Sequence, residues 1–500
     1  MTRLLTFIVL LFSWYILQAQ ETKSLSLDPD MQVITEHTVT IKGKKIPYSA
    51  IAGTQPVWDA DGKEIAYLHY VYYKRSDVKS YDDRPILFSF NGGPGSGSVW
   101  MHIGYTGPRL LNIDDDGYPI QPYGFVENPY SILDVADLVY IDPVNTGYSR
   151  TIPLNGKEVD RSKFFGINAD IKYLADWIGT FTTRNERWPS PKYLIGESYG
   201  GTRVAGLALA LQNQDWLYLN GVIMVSPADY QVLRQSGPIS EALKIPYYAA
   251  TAWYHKRLSA KYQSMELEAF LPEVERFTIN ELLPALTKGG FIETAEREAV
   301  AQQLADYTGL AAKDYIENNL VVTTSYFWKN LLKDASGYNI GRLDSRYLGI
   351  DRKLSGISPD YNAELTSWLH SFTPAINHYY RTELNFKTDV RYNMFGDVHP
   401  WNNENDNTRD NLRQAMAQNP YLKVLFQGGY YDGATTYFNT KYMMWQMDPS
   451  GRLKDRLRFH GYQSGHMMYI RKEDLIKAND DIRAFIQSTK YIGTPANINQ

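Results

Sequence analysis

The chain has 500 residues, of which 44% are hydrophobic and 21% charged, and its formal net charge is -4. This length and composition are typical of a globular protein with one large domain or two to three ordinary ones. Because nucleic-acid binding calls for a basic patch, the near-balance of charge argues against nucleic acid as a partner.

The first twenty residues, MTRLLTFIVLLFSWYILQAQ, have the pattern of a signal peptide. Arg3 supplies a positive start, Leu4 to Leu17 form an apolar core too short for a comfortable membrane span, and Ala19 stands at a plausible cleavage point. We therefore predict a signal peptide over residues 1–19 and an exported protein, periplasmic or extracellular, with no stable membrane association after cleavage. An uncleaved membrane anchor is the alternative.

The sequence contains no cysteine. This excludes disulfides, thiolate metal sites and a cysteine nucleophile, and neither a metal nor another cofactor is expected. An exported chain of this length must then depend on its hydrophobic core for stability. The missing cysteines also favour a bacterial periplasm or exterior over a eukaryotic secretory route.

Residues 30–80 alternate apolar and polar positions around the turn DADG, which predicts an antiparallel opening. Six short, mostly apolar runs follow, as is typical of strands buried on both faces of a parallel sheet. In chain order these runs are RPILFSF, VADLVYID, KYLIG, LNGVIMVSP, LKVLFQGG and LRFHGYQSG. Helical stretches such as NADIKYLADWIGTFTTR lie between several of them. The alternation predicts an α/β fold with a mostly parallel central sheet.

Residues 230–400 interrupt this alternation between the fourth and fifth runs. QSMELEAFLPEVERF and ETAEREAVAQQLADYTGLAAKDYIENNL are typical of amphipathic helices. We therefore predict a mainly helical insertion, or cap, over residues 230–400, between core parts at 20–229 and 401–500. Insertions at the carboxyl edge of a sheet commonly cover a functional site.

The stretch KYLIGESYGG places Ser198 in a Gly-x-Ser-x-Gly pattern after a predicted strand and before a predicted helix. This is the pattern of a nucleophile elbow, in which a strained turn exposes the serine hydroxyl. The following helix would direct its positive dipole toward a developing oxyanion. An ordinary glycine-rich turn is the alternative, and the strand-before, helix-after context favours catalysis.

A nucleophilic serine needs a histidine base and an acid that orients it, in the chain order serine, acid, histidine. His466, in YQSGHMMYI after a predicted strand, is the best-placed base. His460 is better interpreted as a strand residue and His399 as part of a polar loop. Asp432, just past the run LKVLFQGG, is the best candidate acid.

Asp448 and Asp455 come later than Asp432 but lie in MDPSGRLKD, which is typical of a solvated turn. The loop NGGPGSGS, from Asn91 to Ser98, follows an early predicted strand. Its glycines allow backbone N–H groups to turn inward, as in an oxyanion hole. It lacks the Gly-Lys-Ser/Thr ending of a P-loop, so a phosphate site is a poor interpretation.

Taken together, NGGPGSGS, NPYS, DPVNTGYS, GESYGG, GGYYD and SGHMMY resemble motifs of the serine carboxypeptidases, the S10 peptidases of the α/β-hydrolase fold. The matching blocks cover residues 91–201 and 424–470. The resemblance implies a triad of Ser198, Asp432 and His466. It implies an oxyanion hole made by the backbone N–H groups of Gly93 and Tyr199.

The resemblance also implies that Asn91, Gly92 and Glu197 hold the C-terminal carboxylate of a peptide substrate. In that family the glutamate before the serine shares a proton with a second glutamate, which favours activity in acid. Here Tyr105 stands at the position of the second acid. A tyrosine can donate a hydrogen bond to Glu197 or to the substrate but cannot share a carboxylic proton, so we expect Glu197 to have less reason to stay protonated.

Two smaller departures accompany this one, because Ser89 replaces a tryptophan of the family and Ser96 a cysteine. Arg109 is close in sequence and could supply compensating charge, although an exposed arginine is an equal interpretation. The leading hypothesis is an exported serine carboxypeptidase with a less acidic pH optimum than is usual for the family. An esterase or acyltransferase on the same three residues is the alternative, and a non-catalytic binding protein of the same fold is a third hypothesis. A proline iminopeptidase-like enzyme would carry histidine where Asn91 stands.

Overall fold

The computed structural model of the protein describes residues 25–234, 236–490, 493 and 495, so the predicted signal peptide lies outside the described residues. Its strands, in chain order, are β1 (Gln32–Ile41), β2 (Lys44–Trp58), β3 (Glu64–Arg75), β4 (Ile86–Phe90), β5 (Arg109–Leu111), β6 (Phe125–Glu127), β7 (Asp137–Ile141), β8 (Arg150–Thr151), β9 (Lys192–Glu197), β10 (Gly221–Val225), β11 (Asn339–Ile340), β12 (Leu348–Gly349), β13 (Lys423–Gly429) and β14 (Leu457–Tyr462).

The α-helices, in chain order, are α1 (Val99–Met101), α2 (Ile167–Arg184), α3 (Tyr199–Gln214), α4 (Tyr230–Leu233), α5 (Pro238–Ala242), α6 (Ile245–Tyr254), α7 (Ala260–Gln263), α8 (Leu267–Phe277), α9 (Leu283–Lys288), α10 (Thr294–Thr308), α11 (Ala312–Glu317), α12 (Thr324–Asn330), α13 (Ala363–Thr382), α14 (Thr408–Gln418), α15 (Tyr437–Met447) and α16 (Lys472–Thr489). Short 3₁₀ and π turns occur between them. In the described part of the chain, no helix is both long and apolar enough to cross a membrane.

The central sheet has the strand order β1-β2-β3-β7-β4-β9-β10-β13-β14, with the short β8 paired to β3. The pairs from β1 to β7 are antiparallel, and those from β7 to β14 are parallel. This arrangement confirms the predicted α/β fold with a mostly parallel sheet. The predicted antiparallel opening is also present, because DADG lies between β2 and β3.

All six apolar runs form strands of this sheet, namely β4, β7, β9, β10, β13 and β14. Every residue of β4, β7, β9 and β10 is buried, as expected for strands covered on both faces. Helices such as α2, α3 and α14 cover one face and α16 the other. The carboxyl ends of the parallel strands therefore meet at one edge, where loops can bring their side chains together.

A long segment between β10 and β13 contains α4 to α14 and the small β11–β12 pair. Much of this segment has its own hydrophobic core, built from α6, α8, α10 and α12. That core extends onto the central domain through Tyr431, Tyr437 and Phe438, which lie after β13 and in α15. The insertion is thus packed against the part of the fold that carries Asp432.

Candidate active site

Ser198 lies at the sharp turn between β9 and α3. Its backbone has φ 60° and ψ −122°, a left-handed conformation that a non-glycine residue adopts only when its surroundings impose it. A Cβ atom at Gly196 would lie 2.1 Å from the carbonyl oxygen of Gly200, so the turn cannot form around a larger residue. Ser198 also occupies the N-cap position of α3 without capping the helix through its side chain. The hydroxyl is therefore not used as an ordinary helix cap.

Asp432 and His466 form a buried pair on the loops that follow β13 and β14. The imidazole Nδ1 lies 2.7 Å from the carboxylate Oδ2, and Asp432 has no exposed surface. The other oxygen, Oδ1, accepts backbone hydrogen bonds from Ala434 (2.8 Å) and Thr435 (3.0 Å). These bonds stabilise the charged carboxylate and hold it in one orientation, which in turn orients the ring.

The pKa of His466 reflects two opposing effects. Burial lowers the pKa of the imidazole, but the charge of Asp432 and its hydrogen bond raise it, so the pKa lies above 6.5. The paired carboxylate thus favours the imidazolium form. A base of this kind can accept a proton near neutral pH.

Ser198, His466 and Glu197 line the same cavity, of about 380 Å³. Its walls are mostly apolar and include Trp100, Tyr230, Leu365, Trp368 and Phe395. Ser198 and His466 thus line one cavity, and Asp432 contacts the imidazole of His466. The catalytic roles of these three residues stay a prediction. A mostly apolar cavity with a few converging polar groups is typical of a binding site for a small substrate or a chain end.

The loop after β4 lies directly against the serine turn. A Cβ at Gly92 would be 2.6 Å from the backbone nitrogen of Tyr199, and both Gly92 and Gly93 line the cavity. Gly93 has φ 106°, which glycine adopts without strain. The backbone groups predicted as an oxyanion hole are therefore beside Ser198.

Two buried charged groups, which the sequence analysis did not identify, hold this loop. Arg203 of α3 donates from Nη1 to the carbonyl of Asn91 (2.6 Å) and forms a fully buried ion pair with Asp170 (2.7 Å). Asp142 accepts the backbone N–H of Ser98 (2.7 Å). Asp142 opens the DPVNTGYS motif, and Arg203 lies one turn into the helix after Ser198. In both places the sequence shows only a charged residue within an apolar pattern.

Glu197 lies beneath the cavity, 5% exposed. Its Oε1 accepts a hydrogen bond from Asn91 Nδ2 (3.4 Å), and its Oε2 accepts one from the hydroxyl of Tyr469. Burial raises the pKa of Glu197 to about 7, although the nearby His466 and the Tyr469 hydrogen bond oppose the rise. The expectation that Glu197 has less reason to stay protonated than it would beside a second glutamate stays a prediction. Burial, the largest effect on its pKa, favours the neutral acid even without that partner.

Tyr105 is not the partner of Glu197. Its ring is fully buried, and its hydroxyl donates to Gln427 Oε1 (2.8 Å), so it cannot contact a substrate in the cavity. The predicted substrate-binding role of Tyr105 is therefore corrected: Tyr469 provides the hydroxyl instead. Tyr469 follows His466 by three residues in SGHMMY. An aromatic residue in an apolar run is typical of a hydrophobic core, so the sequence did not indicate its role.

Arg109 does not supply charge to Glu197, since its guanidinium forms a salt bridge with Glu383 (2.6 Å). His460 lies within β14 and its Nδ1 is 2.8 Å from a carboxylate oxygen of Asp481 in α16, in line with its interpretation as a strand residue. Asp448 accepts the backbone N–H of Leu453 (2.8 Å), as expected for a turn.

Comparison with known proteins places these observations in a family. The family described as serine carboxypeptidase, Peptidase_S10, matches residues 57–472. Serine carboxypeptidase-like 36 of Arabidopsis thaliana is 30% identical over 166 residues, covering 31% of this chain and 31% of that protein. The pheromone-processing carboxypeptidase KEX1 of Saccharomyces cerevisiae is 30% identical over 162 residues, covering 31% of this chain and 21% of that protein. The alignments thus span less than a third of either relative.

Among solved structures, the prohormone-processing carboxypeptidase KEX1(delta)p from Saccharomyces cerevisiae superimposes with a TM-score of 0.51. The alignment covers 88% of this chain and 92% of that one at 15% identity. At this identity the likeness shows the shared fold alone.

Proposed function

Because this chain belongs to the serine carboxypeptidase family, we propose that it is an exported serine-type carboxypeptidase that removes C-terminal residues from peptides. The observation that carries the proposal is that two groups line one cavity: Ser198, whose backbone is strained and whose hydroxyl does not cap the helix, and a histidine held by a buried aspartate. We further propose that residues 230–400 act as a cap on a core made of residues 20–229 and 401–500.

In the proposed reaction, the Ser198 hydroxyl attacks the carbonyl of the last peptide bond while His466 Nε2 takes the hydroxyl proton. Asp432 stabilises the resulting imidazolium. The carbonyl oxygen becomes an oxyanion, which the backbone N–H groups of Gly93 and Tyr199 stabilise. The C–N bond then breaks, His466 gives its proton to the leaving amine, and an acyl ester on Ser198 remains. Water, deprotonated by His466, hydrolyses this ester and restores the serine.

The C-terminal carboxylate of the substrate would bind at Asn91, Gly92 and Glu197. A carboxylate is repelled by a second carboxylate, so this role requires the neutral acid form of Glu197. Burial supports that requirement, because it raises the pKa of Glu197 to about 7. A protonated Glu197 can donate a hydrogen bond to the substrate carboxylate.

An esterase or acyltransferase is the second candidate. It is favoured by the missing second acid, whose position Tyr105 occupies without reaching the cavity. A weakened site for a free carboxylate would suit an ester substrate that lacks one. The two candidates differ in their dependence on a free C-terminal carboxylate.

The test is incubation of the purified protein with a random peptide pool, followed by mass spectrometry, with each peptide also supplied as its C-terminal amide. We expect stepwise shortening from the C-terminus of the free acids and slow cleavage of the amides. The Ser198→Ala variant is the control and should leave all peptides intact. Equal rates on acids and amides would contradict carboxypeptidase specificity, and failure of a fluorophosphonate probe to label Ser198 would indicate a non-catalytic protein.

A further inference from the structure

A short segment of the insertion, residues 342–346, crosses the loops that carry Asp432 and His466, and we call it the strap. The carbonyl of Arg342 accepts the N–H of Gly433 (3.0 Å), and the carbonyl of Leu343 accepts the N–H of His466 (2.6 Å). A Cβ at Gly465 would lie 2.4 Å from the Leu343 oxygen, so the strap and the histidine loop are in close contact. The strap therefore has a defined position at the rim of the cavity.

The acidic side chains of the strap region are already engaged. Asp344 is fully buried, forms an ion pair with Arg346 (2.6 Å), and accepts the N–H of Gly465 (3.1 Å). Glu364, from α13, accepts the N–H of Leu343 through Oε1 (2.8 Å). Neither carboxylate forms a salt bridge with Arg342.

Arg342 differs from these neighbours. Its side chain is exposed and lines the cavity beside His466, and it forms no hydrogen bond or salt bridge with any residue that the structure describes. Of the described residues lining the cavity, it is the one with a permanent positive charge. Burial lowers the pKa of His466, Asp432 raises it, and the positive charge of Arg342 lowers it again. The guanidinium is therefore close enough to interact with the imidazole.

The strand order separates Arg342 from the proposed carboxylate site. Asn91 follows β4 and Gly433 follows β13, with β9 and β10 between them. Three strand spacings of ~4.8 Å put the ends of β4 and β13 about 14 Å apart, on opposite sides of β9, whose end carries Ser198. A peptide whose terminal carboxylate lies at Asn91 thus directs the acyl side of its scissile bond toward the strap.

We propose that Arg342 binds an acidic side chain on the residue immediately before the scissile bond, so that the enzyme favours peptides with Asp or Glu in the penultimate position. This inference rests on the proposed carboxypeptidase activity. A guanidinium presents paired donors that match a carboxylate. Because the cavity rim is solvated, the preference is modest, about fivefold in kcat/KM over the neutral isostere.

The test compares N-blocked dipeptides with free carboxylates, X-Phe, in which X is Glu, Gln or Lys. We expect wild-type protein to favour Glu over Gln by about fivefold, Arg342→Gln to lose this ratio, and Arg342→Glu to favour Lys. Arg352→Gln is the matched control, because Arg352 is an exposed arginine of the insertion outside the cavity and should keep the wild-type ratio. Titration calorimetry of Glu-Phe and Gln-Phe peptides on Ser198→Ala, with and without Arg342→Gln, measures the same ratio without turnover.

An unchanged Glu-to-Gln ratio in Arg342→Gln would overturn the inference. An equal loss on all three peptides would overturn it too, because it would assign Arg342 to the terminal carboxylate that they share. If wild-type protein cleaves none of the peptides, the proposed function fails, and the binding ratio on Ser198→Ala then supports or overturns the role of Arg342 by itself.

Discussion

The rings of Tyr105 and Tyr469 stack with their centroids 4.6 Å apart and their planes within 11°. Tyr105 thus acts on Glu197 only through its neighbour, because Tyr469 alone brings a hydroxyl to the carboxyl group. Tyr469, packed against Tyr105, thus holds one buried acid where the resemblance implies a pair of acids in the family. The replacement of the second acid by a tyrosine should therefore change how activity depends on pH.

The first prediction concerns the pH profile of the wild-type enzyme on free-acid peptides. In the proposed carboxylate site Glu197 must be neutral to donate to the substrate carboxylate, so kcat/KM should fall as pH rises through its pKa of about 7. His466 must be neutral to act as base, and its pKa is raised, so activity should also fall in acid. We expect a narrow maximum near neutral pH. A maximum near pH 5 would contradict this, and Glu197→Gln should abolish the alkaline fall.

The second prediction separates the two tyrosines. The Tyr469 hydroxyl donates to the Glu197 carboxylate and thereby lowers its pKa, against the larger effect of burial. Tyr469→Phe should therefore move the alkaline limb of the kcat/KM profile to higher pH. Tyr105→Phe removes a similar buried hydroxyl that contacts Gln427 instead, and should leave that limb in place. Identical profiles for the two variants would show that Tyr469 does not tune Glu197.

The third prediction concerns the aspartate behind the histidine. Asp432→Asn keeps the shape of the side chain but loses the charge that stabilises the imidazolium and selects the tautomer. We expect kcat to fall by about 10⁴ at neutral pH, with substrate binding little changed. Steady-state kinetics together with the melting temperature of the variant would check this. A loss below tenfold would remove Asp432 from the proposed mechanism.

The fourth prediction concerns Arg203, whose guanidinium holds the carbonyl of Asn91. Arg203→Lys should shift the loop that carries Gly93 and lower kcat by about 10², the effect of losing one oxyanion donor. Arg187→Lys is the control, because Arg187 is equally buried and also paired with an aspartate, Asp137, but lies away from the cavity. Both variants should lose stability, and only Arg203→Lys should lose turnover per folded molecule, counted by fluorophosphonate titration.

Much of the fold was predictable because its signals are local. Strands buried on both faces leave continuous apolar runs, and the six apolar runs form the parallel part of the sheet, from β7 to the edge strand β14. Ser198, Asp432 and His466 were identifiable because each follows a strand, so topology brings them to one edge. The same reasoning rejected His460, whose side chain lies within a strand and pairs with Asp481.

The groups that could not be predicted act over long sequence separations. Tyr469 and Tyr105 are both tyrosines in apolar surroundings, and only their positions decide which one reaches Glu197. The raised pKa of Glu197 follows from burial, which a motif does not encode. Arg342 belongs to an insertion without matching motifs, and its relation to His466 depends on backbone hydrogen bonds across more than a hundred residues of chain.

Those backbone hydrogen bonds also limit how the protein can be re-engineered. Exchanging the insertion with that of a relative is an obvious route to a new side-chain preference, since it supplies much of the cavity wall. The exchange would also replace the backbone segment at Arg342 and Leu343, whose carbonyls must lie in the present position to accept from Gly433 and His466. A chimaera that retains residues 341–346 from this chain should keep its turnover. A chimaera in which the whole insertion is exchanged should have a new cavity wall but a misaligned His466.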